Sequence, residues 1–248
     1  MGGAGFFSAC FLLDLRRPLV QEFAAMANSS TPSIHPLIQP HLALVSELCA
    51  SGRDFHQRGW SLGTSSNFSV VVSRDPLILL MTGSGYDKGR LEPGHFTLIG
   101  ADALALDPAL PRPSAEARLH LALVRAGGAA SVLHTHSVDA TVLSEAGQAQ
   151  SELVLEGYEM LKGLAGVTTH ETRVALPVFP NTQDIAALAR VVEARLTEPA
   201  NRLQHGFLMA GHGLYTWGDS IASARRHIEV LEFLFQVVTK KQLLFGRG

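Results

Sequence analysis

The sequence predicts one α/β domain, and three observations carry the prediction. At 248 residues with 46% hydrophobic content, the chain is long enough to bury one large core. Stretches with helical spacing alternate with short β-branched and aliphatic runs, without the strict regularity of repeated βαβ units. Beyond the N-terminal stretch, no low-complexity tract, fixed-period repeat or long linker divides the chain. The domain is therefore expected to span residues 36–248.

Residues 1–35 are expected to stand outside it as a disordered or non-native extension. The stretch "GFFSACFLLDL" is apolar but far shorter than the roughly 20 residues a spanning helix needs, and no Lys or Arg precedes it as a secretory leader requires. "MANSSTPSIHP" reads as a natural polar start at Met26, which makes residues 1–25 an upstream extension. A docked N-terminal helix is the alternative.

From Pro36 the elements follow in order. "PLIQPHLALVSELCASGRDFHQRGW" places Leu42, Val45, Leu48 and Cys49 at helical spacing and ends near Gly59. "FSVVVS" and "LILLMTG" are strands of a hairpin turned at Arg74, Asp75 and Pro76, and "HFTLIG" is a further strand. "SAEARLHLALVRAG" is a helix with Ser114 as N-cap and Gly127 as stop. A strand follows, then short helices in "SVDATVLSEAG" and "YEMLKGL". "TRVALPVF" is a strand, and "TQDIAALARVVEARL" a helix capped by Thr182. "HGFLMAGHGLYTWG" reads as two short strands broken by Gly211, His212 and Gly213. In the last helix, Ile221, Ala224, Ile228, Leu231, Phe235 and Val238 form one apolar stripe.

Charge and cysteine usage narrow the function. A formal net charge of -2, with no Lys/Arg run, offers nothing to grip a phosphodiester backbone, so neither nucleic acid nor membrane is expected as a partner. Two cysteines, Cys10 and Cys49, make no disulfide framework and no C-x-x-C spacing, which fits a cytoplasmic protein.

The chemistry concentrates in "VLHTHSVD". Alternate residues of a strand share a face, so His134 and His136 point the same way with Thr135 opposite. A catalytic zinc takes three protein ligands and keeps one position open. His212 supplies the third, because its flanking glycines let the backbone turn sharply and come close; His205 and His170 are poorer choices. Two unrelated histidines are the competing explanation of the H-x-H pair. A metallo-β-lactamase pattern is set aside because Asp139 falls three residues past His136, and a cupin because the chain is rich in helices.

Two turns could cradle an anion. Gly63, Thr64, Ser65, Ser66 and Asn67 offer flexible backbone and polar donors, as do Thr82, Gly83, Ser84 and Gly85, with Lys88 adding charge. Each is equally readable as an ordinary polar turn. Glu159 is either a general acid/base or half of a surface pair with Lys162, and Glu116 shares that ambiguity.

Together these pieces resemble the class II aldolase/adducin family. From about His41 to Leu244 the chain carries, in the family's order, "GTSSNFS", "MTGSG", "PSAE", "HTH" and "GHGLYTWG". "GYEMLKGL" makes it most similar to the dehydratase branch, which acts in methionine salvage on a 1-phosphorylated 2-ketopentose bearing a methylthio group.

The resemblance implies a three-layer α/β/α domain with a central, mainly antiparallel sheet. It also implies a homotetramer with the active site at a subunit boundary and one Zn2+ per subunit on His134, His136 and His212. Glu159 becomes the acid/base for loss of water to a 2,3-diketone. Gly63, Thr64, Ser65, Asn67, Thr82, Gly83, Lys88, Ser114 and Glu116 become the substrate contacts. Glu116 matches the aldolases' metal-binding, proton-shuttling glutamate, whereas some dehydratases place a cysteine there. Aldol cleavage or 4-epimerisation of a sugar phosphate on the same zinc is the alternative reaction, and a non-catalytic adducin-like scaffold the alternative of another class.

Overall fold

A computed structural model describes residues 1–2, 34–199 and 203–246. The extension expected at residues 1–35 and Cys10 fall almost wholly outside them. From Ile34 onward the chain forms one compact unit. Its strands are β1 (Asn67–Arg74), β2 (Leu77–Thr82), β3 (Phe96–Ile99), β4 (Ser131–Thr135), β5 (Glu152–Leu155), β6 (Val174–Phe179), β7 (Gly206–Met209) and β8 (Gly213–Gly218). Its helices are α1 (Leu42–Gln57), α2 (Ala117–Gly127), α3 (Val138–Gly147), α4 (Ile185–Thr197) and α5 (Ile221–Phe245).

One sheet runs in the order β3-β2-β1-β4-β8-β7-β6-β5. Every neighbouring pair is antiparallel except β6 with β7. Helices cover both faces, which gives the expected three layers. On one side α1, α3 and α5 bring Leu48, Phe55, Leu143, Ile228 and Leu231 against Phe68, Leu80, Leu133 and Leu214. On the other, α2 and α4 bring Leu119, Leu123, Val192 and Leu196 against Leu79, Val132, Phe207 and Tyr215. Burying each such side chain contributes roughly 1.5–3 kcal/mol, so this double core is the main source of stability.

Local chemistry differs from the sequence expectation in two places. Ser114 does not cap α2: the helix starts at Ala117, with Glu116 as N-cap and no side-chain cap bond, and Ser114 Oγ instead accepts the Glu116 N–H at 3.2 Å. That helix ends at Gly127, as expected, and Gly128 closes it as C-cap, with φ of +71° and an N–H bond to Leu123 O. Thr182 does not cap α4; Asp184 does, accepting the Ala187 N–H at 2.9 Å, while Thr182 Oγ1 accepts the Asp184 N–H. Strand β5, four residues long, had no prediction. No helix among the described residues is long and apolar enough to cross a membrane.

Candidate metal centre

Strand alternation builds the site. Within β4, Leu133 and Thr135 face α1, α3 and α5, while Val132 and His134 face the opposite layer. In register, His134 lies opposite Asn67 on β1 and Tyr215 on β8, so three chemically active side chains form one row across the sheet. Tyr215 stacks on the His134 ring at 3.9 Å and 11°, and on Phe207 at 4.8 Å. His136 follows the strand, its N–H fixed to the Trp60 carbonyl at 2.8 Å.

His212 arrives from the β7–β8 turn. Gly211 takes the φ of +62° that this turn needs, and Gly213 presses so closely on β4 that a Cβ there would meet the Thr135 carbonyl oxygen at 2.1 Å. The turn is tethered to α3: Ser144 Oγ accepts the Gly211 N–H at 3.0 Å, and Thr141 Oγ1 donates to the His212 carbonyl at 3.2 Å. One ligand-capable nitrogen from each of His134, His136 and His212 lies within 4.8 Å of the others.

The tautomer of His134 suits a metal ligand. His134 Nδ1 lies 2.8 Å from the Leu214 carbonyl, which accepts but cannot donate, so Nδ1 carries the proton and Nε2 presents a lone pair. His212 Nδ1 lies 3.4 Å from Asn181 Oδ1. The two Nε2 atoms are 3.2 Å apart, close to the roughly 3.3 Å separating tetrahedral zinc ligands at ordinary Zn–N lengths. Glu116 adds a carboxylate, Oε1 at 3.2 Å from His212 Nε2 and Oε2 at 3.6 Å from His134 Nε2. Burial holds the His134 ring well below the ordinary imidazole pKa, reinforced by His136 and His212. Burial, then His212 and Lys88, hold His136 down to about 4. Three imidazoles, two of them held neutral by burial, and the Glu116 side chain thus converge, and a divalent cation fits them.

The predicted substrate contacts fall into three groups. Asn67, Ser114 and Glu116 join the metal cluster: Asn67 Nδ2 donates to Glu116 Oε2 at 2.7 Å and to Ser114 Oγ at 3.3 Å. Gly63, Thr64, Ser65 and Lys88 form a second group. Gly63 and Thr64 hold φ of +60° and +63°, a strained conformation for β-branched Thr64. Ser65 Oγ is buried without a hydrogen-bond partner among the described residues. Lys88 is 1% exposed, and among the described residues its Nζ donates only to the carbonyls of Tyr86 at 2.7 Å and Thr64 at 3.3 Å. Burial brings its pKa down to about 8, with Asp87 pulling the other way.

The third group is already engaged: Thr82 Oγ1 accepts the Phe68 N–H at 3.1 Å, and the Gly83 and Ser84 N–H groups donate to His95 O and Arg112 O. Glu159 stands apart. It starts the 3-10 turn Glu159–Gly163, its side chain is 68% exposed, and it pairs with Lys162 and, at 3.4 Å, with His170. The Lys162 hydrogen bond holds its carboxyl below the usual carboxylate range.

Three residues that sequence reasoning missed complete the surroundings. Tyr215 is fully buried, and burial with the neighbouring Glu116 carboxylate pushes its phenol well above the ordinary value. His120 sits one helical turn after Glu116, a spacing the sequence displayed. Glu232, on α5, accepts the Thr135 hydroxyl at 2.8 Å from behind the histidine strand.

Comparison with known proteins gives the family and the fold. The model of the class II aldolase and adducin N-terminal domain matches residues 46–239. The methylthioribulose-1-phosphate dehydratase of Pectobacterium carotovorum is 49% identical over 195 residues, covering 77% of this chain and 91% of its own. That of Sorangium cellulosum is 45% identical over 193 residues, covering 77% and 89%. Among solved structures, the l-fuculose-1-phosphate aldolase of Thermus thermophilus superposes with a TM-score of 0.65 at 24% identity, covering 84% of this chain and 99% of its own. On motif order, fold and sequence identity alike, the chain belongs to the class II aldolase and adducin family.

Proposed function

We propose that this protein is a zinc-dependent hydro-lyase of methionine salvage. It converts 5-methylthioribulose 1-phosphate to 5-methylthio-2,3-dioxopentyl phosphate and water. The observation that carries the reading is the convergence of three imidazole nitrogens and the Glu116 side chain in a chain about half identical to proteins named for that activity. His134, His136 and His212 would hold the metal, with Glu116 beside them. When bound, it supplies Lewis-acid polarisation of the substrate's ketone. A scaffold protein would have no use for this cluster.

The chain's own residues do the rest. Lys88, a buried cation bonded only to carbonyls, attracts the phosphate, and that phosphate in turn raises its affinity for the proton. Ser114 Oγ accepts two hydrogen bonds, which leaves its own proton to donate to a phosphate oxygen. Binding energy at the phosphate orients the reacting carbons.

Glu159 acts as the base: its carboxylate, paired with Lys162, removes the proton from the third carbon. The same carboxyl returns that proton to the hydroxyl on the fourth carbon, which leaves as water, and the resulting enol ketonises. Its exposure, with that of Met160 and Phe233, fits a homotetramer whose sites lie at subunit boundaries, and light scattering tests the assembly. We place the enzyme in the cytoplasm.

A sugar-phosphate aldolase or epimerase is the second reading, favoured by the position of Glu116 between two histidine nitrogens. Replacing Glu159 with Gln separates the two. Elimination should fall about 100-fold or more, the usual scale of a lost acid/base. A variant that keeps full dehydratase activity would remove Glu159 from the mechanism.

A further inference from the structure

We propose that His120 is a positioning residue that orients Glu116 toward the metal centre, acting through Asn67; the inference rests on the metal-site reading above. His120 is fully buried on α2, one turn beyond Glu116. Its Nδ1 lies 2.7 Å from Ser69 Oγ, and its Nε2 bonds Asn67 Oδ1. Asn67 Nδ2 then donates to Glu116 Oε2 at 2.7 Å. Ser69 and Asn67 are two apart on β1, so strand alternation sets both on the His120 face.

The chain of bonds has only one consistent direction. A carboxylate accepts and cannot donate, so Asn67 must turn its amino group to Glu116 and its carbonyl oxygen away. That oxygen needs a donor, which makes His120 carry its proton on Nε2. The neutral ring then accepts at Nδ1, where the Ser69 hydroxyl donates. Burial holds the imidazole neutral, with a pKa lowered to about 3. The polarity Ser69 to His120 to Asn67 to Glu116 therefore fixes both carboxylate oxygens, one toward His134 and one toward His212. This gives Asn67 the role of holding Glu116, in place of the direct substrate contact implied by the family resemblance.

The test compares His120→Leu, which cannot donate, with His120→Gln, which keeps an N–H near the Nε2 position. Co2+ is the probe, read by its d–d absorption and by chelator competition, with kcat and KM measured alongside. His120→Leu should bind Co2+ about 10–100-fold more weakly, with an altered spectrum and a lowered kcat, and His120→Gln should recover most of both. Leu121→Ala, a core change on the same helix, should lower stability without moving the spectrum. If His120→Leu fails to fold, Ser69→Ala, which removes the hydroxyl that fixes the tautomer, should shift the Co2+ spectrum and weaken binding severalfold. Wild-type Co2+ affinity and spectrum in the folded variants would overturn the positioning role alone. A wild-type protein that takes up no metal would overturn the metal site and, with it, this inference.

Discussion

Replacing Gly213 with alanine tests how the fold holds the metal centre. A Cβ at this position would stand 2.1 Å from the Thr135 carbonyl oxygen, 3.1 Å from its carbon and 3.3 Å from His134 Cε1. Carbon–oxygen contacts relax only near roughly 3.3 Å, so β8 and β4 must part by about 1 Å where Thr135 pairs with Leu214. Overpacking of this kind costs about 1–3 kcal/mol, and weakening the adjoining ladder bonds adds about 0.5–1.5 kcal/mol. The expected loss is about 2–4 kcal/mol of stability.

The same shift moves the Leu214 carbonyl, which fixes the His134 tautomer, and the His212 turn, so metal affinity should fall about 10–100-fold. Urea denaturation of the metal-free protein reads the first effect, and chelator competition the second. Gly211→Ala is the control: its cost is the left-handed backbone, about 1–2 kcal/mol, and its Cβ meets only the flexible end of Glu145 at 3.1 Å. A Gly213→Ala protein with unchanged stability and metal affinity would refute the close-approach argument.

Further predictions follow from charge and burial. Lys88→Gln keeps a donor for the Thr64 and Tyr86 carbonyls but removes the charge, so KM for the phosphorylated substrate should rise about 10–100-fold, the scale of a charge-assisted hydrogen bond; an unchanged KM would place the phosphate elsewhere. In the metal-free protein, His120, His134 and His136 have folded pKa values below the unfolded value of about 6.5, so the unfolded chain binds more protons below that pH. Their contribution is complete above pH 6.5 and is lost as pH falls, about 4 kcal/mol in total between pH 7.5 and 5.5. Glu232, raised to about 7 by burial, works oppositely and returns about 2 kcal/mol over that interval. Urea midpoints should therefore show a net fall of about 2 kcal/mol for the wild type and about 4 kcal/mol for Glu232→Gln; a wild type more stable at pH 5.5 would contradict the histidine sign, and a Glu232→Gln protein that loses no more than the wild type would contradict the Glu232 sign.

The legible parts of the sequence were those governed by short periodicities. Two-residue alternation put His134 on a shared face, and the glycines beside His212 announced a tight hairpin end. The stripe on α5 was right through Phe235, and Val238 is only partly buried. What escaped was set by partners distant in sequence. Glu232 follows Leu231 immediately, which on a one-sided helix means solvent, yet α5 also packs on β4, where Thr135 receives the carboxylate. Asn67 looked like a turn donor because its partner Glu116 lies 49 residues on. Ser114 and Thr182 looked like caps because they precede helical patterns, but the residue two places later takes the capping position in each case. Strand β5 begins with Glu152 and has only four residues, too few for alternation to register.

The most direct test of the account is to incubate the zinc-loaded protein with 5-methylthioribulose 1-phosphate and follow the substrate by mass spectrometry. Loss of one water, giving the diketone phosphate, is the predicted result. An unchanged substrate, with zinc confirmed in the protein, would contradict the dehydratase assignment and favour the aldolase or epimerase reading of the same site.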